Sequence, residues 1–333
     1  MTPAPASERN RTVTPALTVD VALVAYRHWE LTRSCLEHLA GQTREHRVYL
    51  CDNGCDERTA EHVREDFPGV EVRRLERNMP YAVACNTAAQ AGDGDVVVMM
   101  NNDVDARPDF VQRLVAPLER EPRTGSVAPL LVRPGNAVVD SVGLTADRTL
   151  AGFPRWQGHP PSQARADTPA LLGPAGAAAA FRRSAWEQAG GLDEALVAYM
   201  EDFDLALRLR AAGCDAAVAL DAVAVHVGSA TFGHRSAEQR RKGGFGRGYV
   251  LRRYGVLRSR AAARTLLTEA VVVAGDLVIS RDAAALRGRL QGWRAAAARP
   301  RRSLPRQAID DTLSFADSLR MRRGVYASQA AAR

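Results

Sequence analysis

Four short apolar runs alternate with longer amphipathic stretches between residues 19 and 120. Each run is rich in β-branched residues, which favours a strand, whereas the stretches between the runs repeat apolar residues at helical spacing. The four predicted strands are VDVALVAY (19–26), RVYLCD (47–52), VEVRRL (70–75) and DVVVMM (95–100). Strands that alternate with helices in this way predict a parallel sheet with helices on both faces.

Polar residues follow each of the four predicted strands directly. They are Tyr26-Arg27-His28, Asp52-Asn53-Gly54, Glu76-Arg77-Asn78 and the segment from Asn101 to Asp105. Ligands of open α/β sheets bind outside the carboxyl ends of the strands. We therefore expect these side chains to converge on one edge of the sheet.

The pattern is less regular between residues 126 and 232. The composition predicts a strand at 126–132, loops or a hairpin at 133–170, and a small-residue strand with a turn at 171–186. A helix is expected from about Asp202 to Gly213, because glycine commonly ends a helix. After it, AAVAL and VAVHVG predict a pair of strands.

The two ends of the chain differ from its middle. Residues 1–17 are rich in proline and serine and lack the apolar core of a secretory signal, so we expect a disordered N-terminus. After residue 233, arginine and alanine dominate, which predicts basic helices. The apolar run from Ala270 is broken by Asp276 and is shorter than the ~20 residues that a span needs. We expect no transmembrane segment.

Charge and cysteine content limit the classes of partner. The chain has 45 lysines and arginines against 38 acidic residues, a formal charge of +7. This balance favours an anionic partner such as nucleic acid, a nucleotide or an acidic membrane surface. Five cysteines without a C-x-x-C pair indicate neither a disulfide framework nor a zinc site. A reducing, cytoplasmic setting fits this usage best.

Asp103 and Asp105 follow the fourth predicted strand, beside Asn101 and Asn102. Hard oxygen ligands at a strand end suit Mg²⁺ or Mn²⁺ when substrate phosphates supply the remaining ligands. The alternative is a polar turn that caps the helix beginning near Pro108.

Glu201 and Asp202 stand at the start of the predicted helix, and Asp204 follows them. A carboxylate fixed there could act as a general base toward a hydroxyl group. Alternatively, Asp202 only caps the helix and the three acids complement its dipole.

Two further residues could bind a ligand or serve only local structure. His226 could be a third metal ligand or a hydrogen-bonded polar group at a strand end. Asp52 could accept a hydrogen bond from a nucleobase or a ribose, or belong to an Asp-Asn-Gly turn. Because the sequence contains neither G-x-G-x-x-G after the first strand nor a G-x-x-x-x-G-K-[ST] loop, a metal would have to neutralise any bound phosphate.

Seven segments between residues 20 and 232 together resemble the family 2 glycosyltransferases of the GT-A fold, in particular bacterial rhamnosyltransferase-like and galactofuranosyltransferase-like members. In chain order they are VALVAYRHWELTRSCLEHLAGQT, VYLCDNGCDERT, RNMPYAVACNTAAQ, MMNNDVD, GPAGAAAAFRRSAWEQAGGLDEAL, YMEDFDLALRLRAAG and VAVHVGSAT. The resemblance implies an α/β fold with a mostly parallel central sheet, helices on both faces and a C-terminal helical extension. The implied division is a catalytic domain at 18–232 (nucleotide-binding half 18–125, acceptor half 126–232), a basic helical extension at 233–304 and a tail at 305–333.

The resemblance also implies an activity and a set of roles. The activity is metal-dependent, inverting transfer of a sugar from a UDP- or dTDP-sugar to a hydroxyl acceptor, in cell-envelope polysaccharide, glycolipid or natural-product assembly. The implied cofactor is Mg²⁺ or Mn²⁺, and the implied general base is Asp202. The other implied site residues are Asp52, Asn78, Asn86 and Asn102 at the nucleotide, Asp103, Asp105 and His226 at the metal, and Glu201 and Trp186 on the acceptor side.

Three positions depart from the family pattern. Arg27 replaces the usual asparagine after the first strand, Pro80 replaces a glycine, and Asn101 stands where the D-x-D motif begins. Proline removes a backbone N–H that could contact the nucleotide. These departures keep open a second hypothesis, a catalytically lapsed domain that binds a nucleotide or a partner protein.

The basic C-terminal region also has more than one interpretation. Its aromatic residues are sparse and match no stacking platform for nucleic acid. Basic residues beside an apolar helix suit a peripheral position on the inner face of the cell membrane and an acceptor that is a glycan, a lipid-linked sugar or a small molecule. The alternative is that these helices only pack on the catalytic domain with solvated arginines.

Overall fold

A computed structural model of the chain describes residues 16–54, 58–228 and 236–322. Within these residues, nine strands form one mixed sheet and two more form a separate antiparallel pair. The strands are β1 (Val19–Ala25), β2 (Arg47–Asp52), β3 (Val70–Arg74), β4 (Val96–Asn101), β5 (Val104–Ala106), β6 (Thr124–Val132), β7 (Val139–Ser141), β8 (Leu144–Ala146), β9 (Gly152–Pro154), β10 (Ala178–Arg182) and β11 (Asp215–His226).

The sheet has the order β3-β2-β1-β4-β10-β6-β11-β5, with β7 beside β6, and β8 pairs with β9. Within the described chain, six of its strands (β1, β2, β3, β4, β6 and β11) run in one direction. The strands β5, β7 and β10 run in the opposite direction. The expected mostly parallel α/β sheet is confirmed.

Ten α-helices lie in the described residues. They are α1 (Trp29–Ala40), α2 (Thr59–Asp66), α3 (Tyr81–Gln90), α4 (Phe110–Arg120), α5 (Arg183–Ala189), α6 (Glu201–Ala211), α7 (Ala237–Arg253), α8 (Ala262–Ser280), α9 (Ala284–Ala295) and α10 (Phe315–Met321). Helices α7, α8 and α9 lie within the helical extension expected at 233–304, and α10 lies in the tail expected at 305–333.

Strand β1 shows why the sheet is covered on both faces, since all seven of its residues are buried. Val21, Leu23 and Ala25 pack into the core with residues of α1 and α4, whereas Ala22 and Val24 pack with residues of α3, α5 and α6. Side chains alternate between the faces of a strand. An apolar strand of this kind therefore requires helices on both sides.

The strand order places an open crevice at one edge of the sheet. Strand β1 pairs with β2 on one side and with β4 on the other, so the connections leave β1 in opposite directions. Ligands bind at such a switch point, outside the carboxyl ends of the strands. The antiparallel strand β10 leads through α5 to α6, and the first residues of α6 lie at this same edge.

Helices α7 and α9 run parallel with their backbones in contact. A Cβ atom on Gly248 would overlap the carbonyl oxygen of Arg289, and one on Gly292 would overlap that of Phe245. The same holds for Gly288 against Arg241. Small residues four positions apart permit this close approach of two helices.

The structure corrects one detail of the predicted strands. The two strands expected from AAVAL and VAVHVG form one strand, β11, whose pairing with β6 shifts register between Ala219 and Val223. A bulge of this kind lets a strand continue past an irregular pairing. The predictions for residues 1–15 and 323–333, and the boundary expected at 232/233, lie outside the described residues.

Candidate active site

A cleft of about 600 Å³ opens at the carboxyl ends of β1, β2 and β4. Its volume is typical of a site for a small molecule. Polar residues that follow the strands line the cleft, as the sequence predicted: His28, Asn53, Asn78, Asn102 and Asp103. Further lining residues come from β7, from the start of α6, from β11 and from α7: Asp140, Glu201, Asp202, His226 and Lys242.

Two loops at the cleft hold consecutive non-glycine residues in the left-handed backbone region. Arg27 and His28 have φ of 63° and 58°, and Tyr199 and Met200 have φ of 67° and 72°. L-residues adopt this region at a cost of about 1–2 kcal/mol each. Such strain clusters at functional sites. Here the strained pairs directly precede α1 and α6.

Asp103, His226 and Asp140 form a chain of contacts on one side of the cleft. His226 Nδ1 lies 2.8 Å from Asp140 Oδ2, and His226 Nε2 lies 3.6 Å from Asp103 Oδ1. The second oxygen of Asp103, Oδ2, accepts a hydrogen bond from Gly228 N–H at 3.2 Å. Asp103 Oδ1 is buried and accepts no hydrogen bond from any residue that the structure describes. One carboxylate oxygen therefore remains available to a ligand beside an imidazole nitrogen.

The same three residues favour a positive charge between two carboxylates. Burial disfavours a charged His226, but the hydrogen bond to Asp140 and the charge of Asp103 outweigh it and raise the pKa of His226. Burial opposes the ionisation of Asp140, yet the contact with His226 lowers the pKa of Asp140 overall. A metal ion bound to Nε2 of His226 would displace that proton, and the two carboxylates would then stabilise the ion in its place.

A divalent metal fits this part of the cleft. In the ranges 16–54, 58–228 and 236–322, no three His, Cys, Asp or Glu side chains converge to hold an ion by themselves. Asp103 and His226 supply a carboxylate oxygen and an imidazole nitrogen, and the orphaned oxygen of Asp103 needs a partner. Mg²⁺ is commonly bound by one or two carboxylates together with substrate phosphates. The two residues match that incomplete ligand set.

The structure places Asp105 apart from Asp103, so its expected role at the metal stays a prediction that these contacts do not support. Asp105 accepts a hydrogen bond from Ser34 Oγ at 2.9 Å and lies 3.6 Å from His38 Nδ1, and both partners belong to α1. Both neighbours of Asp105 on the short strand β5 are buried, so alternation directs its side chain away from the core. Asp105 therefore lies outside the cleft lining, against α1.

Glu201 and Asp202 occupy the first turn of α6 and line the cleft together. Asp202 Oδ2 accepts from Gly176 N–H at 2.8 Å, and its Oδ1 accepts from Phe203 N–H at 2.7 Å. Burial raises the pKa of Asp202, and burial together with the charge of Asp202 raises the pKa of Glu201. A carboxylate with a raised pKa is a stronger base.

Three amide side chains line the region after β2, β3 and β4. Asn53 Nδ2 donates to Asn78 Oδ1 at 3.1 Å, and Asn53 Oδ1 accepts from Met79 N–H at 2.9 Å. Asn102 Nδ2 donates to Thr32 Oγ1 at 2.8 Å. These bonds fix the amides in place, and Asn78 and Asn102 lie where the nucleotide was expected.

Three other expected site residues are buried and lie outside the cleft lining, so their contacts with a ligand stay predictions. Asp52 is fully buried at the end of β2, 3.6 Å from Arg74 Nε, and its neighbour Asn53 faces the cleft instead. Asn86 exchanges hydrogen bonds with the backbone of Leu192, so it ties α3 to the loop after α5. Trp186 packs in the core against the ring of Phe181.

Several lining residues were not predicted from the sequence. Asp140 lies on a three-residue strand within the segment expected to form loops, so no periodic pattern marked it. Lys242 belongs to the C-terminal helices, which the sequence suggested as an extension outside the catalytic part. Asn53 was expected at this edge of the sheet, but no role was assigned to it.

Comparison with known proteins identifies the family. The sequence model described as Glycosyl transferase family 2 matches residues 20–190. An N-acetylglucosaminyl-diphospho-decaprenol L-rhamnosyltransferase of Mycobacterium tuberculosis is 31% identical over 190 residues, covering 50% of this chain. The match covers 61% of that relative's own length.

Solved structures show the same fold. The mannosyltransferase PcManGT of Pyrobaculum calidifontis, solved with GDP-Man and Mn²⁺, superposes with a TM-score of 0.51 at 20% identity, covering 96% of this chain and 87% of that one. GalNAc-T7, solved with UDP, GalNAc and Mn²⁺, gives a TM-score of 0.56 at 17% identity over 72% of this chain and 48% of that one.

The expected family and fold are thus confirmed by sequence and by structure. None of the described helices combines the length and apolar character that a membrane-spanning helix requires. With a matching family model over more than half of its residues and a cleft at the switch point of its sheet, the chain belongs to the family 2 glycosyltransferases.

Proposed function

We propose that this protein transfers a sugar from a UDP- or dTDP-sugar to a hydroxyl acceptor, with inversion at the anomeric carbon and with the help of Mg²⁺ or Mn²⁺. The observation that carries the proposal is one cleft lined both by Asp103 with His226 and by the partly buried carboxylate of Asp202. Asp103 and His226 suit the binding of a cation with a diphosphate, and Asp202 suits the role of general base. Membership of the family supports nucleotide-sugar transfer.

Asp103 and His226 would hold the divalent ion together with the donor diphosphate. Bound there, the ion would offset the negative charge that develops on the departing diphosphate. Asn78 and Asn102 would line the nucleotide, with Asn53 holding Asn78 and the Met79 backbone in position. Asp52 and Asn86 lie outside the cleft lining and are not part of this assignment.

Asp202 would accept the proton of the attacking hydroxyl group. A bond then forms between the acceptor oxygen and the anomeric carbon, while the bond from that carbon to the phosphate oxygen breaks and its electron pair leaves with the diphosphate. A single displacement without a covalent enzyme intermediate inverts the anomeric carbon. Glu201, whose pKa is raised beside Asp202, would remain protonated and face the acceptor side.

We infer that the acceptor is lipid-linked and that transfer takes place at the inner face of the cell membrane. Support comes from the relative in Mycobacterium tuberculosis, whose name places its acceptor on a decaprenyl diphosphate. Cell-envelope glycan assembly is the setting that this proposal implies, with the protein peripheral to the membrane. Lys242 on α7 lines the cleft and adds a cation where an anionic acceptor could enter.

A panel of UDP- and dTDP-sugars tests the proposal, with Mn²⁺, with Mg²⁺ and with a chelator, scored for binding by calorimetry and for hydrolysis. We expect one donor to bind and turn over only with a metal. Asp202→Asn should reduce turnover by about 10³-fold while nucleotide binding is kept. Asp221→Asn, at an exposed carboxylate on β11, is the matched control and should change neither.

Two outcomes would contradict the proposal. Unchanged turnover in Asp202→Asn would remove the base from the mechanism, and retention of configuration in the product, seen by NMR, would remove the single displacement. Nucleotide binding without turnover for any donor and acceptor offered would favour a lapsed, nucleotide-binding domain.

A further inference from the structure

Helix α8 exposes an apolar face along its whole length. Its large outward-facing residues include Leu266 and Leu267 near the start, Val271 in the middle, and Val278 and Ile279 at the end. Val278 and Ile279 are 76% and 82% exposed. Small apolar residues, Ala263, Ala270 and Ala274, are the other exposed positions before Leu277. No charged residue of α8 is among its exposed positions.

The buried positions of α8 are polar instead. Thr265 and Thr268 are fully buried. Glu269 accepts hydrogen bonds from Arg247 at 2.8 Å and from Arg289 at 2.9 Å, which anchors α8 to α7 and α9. An ordinary surface helix has the reverse arrangement, with its apolar stripe toward the core. The orientation of α8 is therefore fixed by buried ion pairs, with its apolar face directed outward.

A second, basic cleft lies where α7 and α9 end. It has a volume of about 220 Å³, and its lining includes Arg252, Arg258, Arg301 and Trp293 but no acidic residue. The Arg252 guanidinium lies 5.1 Å from the centre of the Trp293 ring. Within the described chain, Arg252, Arg258 and Arg301 have no acidic partner and no hydrogen-bond acceptor for their guanidinium groups. The fourth arginine of the lining, Arg299, lies 3.7 Å from Asp193 Oδ1, so three unpaired positive charges remain around the cleft and favour an anion.

We propose that α8 and this basic cleft form a binding surface for anionic phospholipid bilayers. The apolar face of α8 enters the acyl boundary, and the arginines bind phosphate headgroups. Arg258 lies four residues before Ala262, the first residue of α8, so the two features adjoin along the chain. The surface is independent of the transfer chemistry, and it specifies how a peripheral position on the membrane would be achieved.

The dimensions of α8 favour a bilayer over a second copy of this chain. A helix of 19 residues is about 28 Å long and about 10 Å wide, so one face presents roughly 300 Å². A stable protein interface buries about 800 Å² on each partner. A bilayer sets no such minimum, and its anionic headgroups complement the unpaired arginines.

Co-sedimentation of the full chain with vesicles tests the surface, comparing phosphatidylcholine alone with phosphatidylcholine mixed with phosphatidylglycerol. We expect binding to the anionic vesicles that weakens as salt rises. Val278→Gln with Ile279→Gln should weaken binding at least about tenfold. Valine and isoleucine gain free energy when they move from water into the bilayer, and glutamine does not. This pair adds no charge and alters no buried contact.

Arg258→Gln with Arg301→Gln should weaken binding about thirtyfold and flatten its salt dependence. Arg33→Gln with Arg113→Gln removes the same charge from arginines on α1 and α4, each 52% exposed, and should change binding less than about twofold. An equal loss of vesicle affinity in the two double variants would show that only net charge matters, and it would contradict the proposed role of the basic cleft.

Other outcomes would overturn the proposal in different ways. Equal vesicle binding by wild type and Val278→Gln/Ile279→Gln would exclude α8 from the binding surface. A concentration-dependent dimer in light scattering, lost in that variant without any vesicle binding, would assign the face to a second copy. Inorganic phosphate bound in the cleft without vesicle binding would leave a site for soluble anions only. UDP binding with Mn²⁺, measured in the same variants, reports on the catalytic proposal separately.

Discussion

Two buried aspartates at opposite ends of the sheet contrast in how their charge is compensated. Asp20, on β1, is 1% exposed and accepts hydrogen bonds from Gly94 N–H at 2.6 Å, from Arg47 at 2.9 Å and from Arg183 at 2.8 Å. Asp103, after β4, is 8% exposed and keeps Oδ1 without a donor among the described residues. A buried charge is stable only when it is paired. The first carboxylate therefore serves the fold, and the second is placed for a ligand.

The largest expected effect is on the ligand side of this comparison. Asp103→Asn should reduce metal-dependent turnover by about 10³-fold, because the amide supplies a neutral ligand where a charge is needed. Thermal unfolding should change little. Asp105→Asn is the matched control two residues away and should keep full turnover, since Asp105 faces α1. Equal losses in steady-state assays of both variants would contradict the assignment of a single aspartate to the metal.

Asp20→Asn tests the structural side. We expect the free energy of unfolding to fall by about 3 kcal/mol, because Arg183 and Gly94 lose a buried carboxylate. Turnover per folded molecule should be kept. The control is Asp93→Asn, which removes a different partner of Arg47, one that is 89% exposed, and should leave denaturant unfolding unchanged. A loss of activity in Asp20→Asn without a loss of stability would reverse the comparison.

The glycines between α7 and α9 extend the test to the helices that bring Lys242 to the cleft. Gly288→Ala should lower the unfolding free energy by about 2 kcal/mol, because its Cβ would overlap the Arg241 carbonyl oxygen. Gly243→Ala on α7 meets no atom within 4 Å and should be neutral or stabilising by up to about 1 kcal/mol. Chemical denaturation of both variants measures the difference, and equal effects would contradict the close packing.

The smallest effect concerns pH. Because burial raises the pKa of Asp202 above the ordinary aspartate value, turnover should fall about tenfold per pH unit once the pH lies below that raised pKa. The free energy of unfolding should depend on pH in the opposite direction. The folded state holds this proton more tightly, so the contribution of Asp202 to stability is complete at low pH and is lost as pH rises through its folded pKa. A pH–rate profile and pH-dependent melting of wild type and Asp202→Asn measure both. An acid limb at the ordinary aspartate pKa would contradict the burial argument.

The sequence was sufficient to predict β1 to β4 and the polar edge that follows them. Buried parallel strands leave a strong apolar signal, and the residue after each strand must lie at the carboxyl edge. The direction of Asp105 could not be predicted, because it depends on the antiparallel pairing of β5 with β11, more than 100 residues away. The partner of Asn86 could not be predicted for a similar reason, since Leu192 lies in a loop without a periodic pattern.

The orientation of α8 could not be predicted from the sequence either. The composition of the helix showed an apolar bias, but both of its faces carry apolar residues, and the ion pairs of Glu269 decide which face turns inward. These pairs join three helices that are separate along the chain. Asp140 was missed because a strand of three residues has too little pattern to be distinguished from a loop.

The glycine-mediated contact of α7 with α9 has a further consequence for the length of an acceptor. Lys242 lines the catalytic cleft and Arg252 lines the basic cleft, and ten residues of helix, about 15 Å, separate them. Because the backbones of α7 and α9 are in contact, this distance is fixed. If the arginines bind headgroups as proposed above, the reacting hydroxyl would lie at a fixed distance from the membrane, and acceptors with glycans of matching length would be selected.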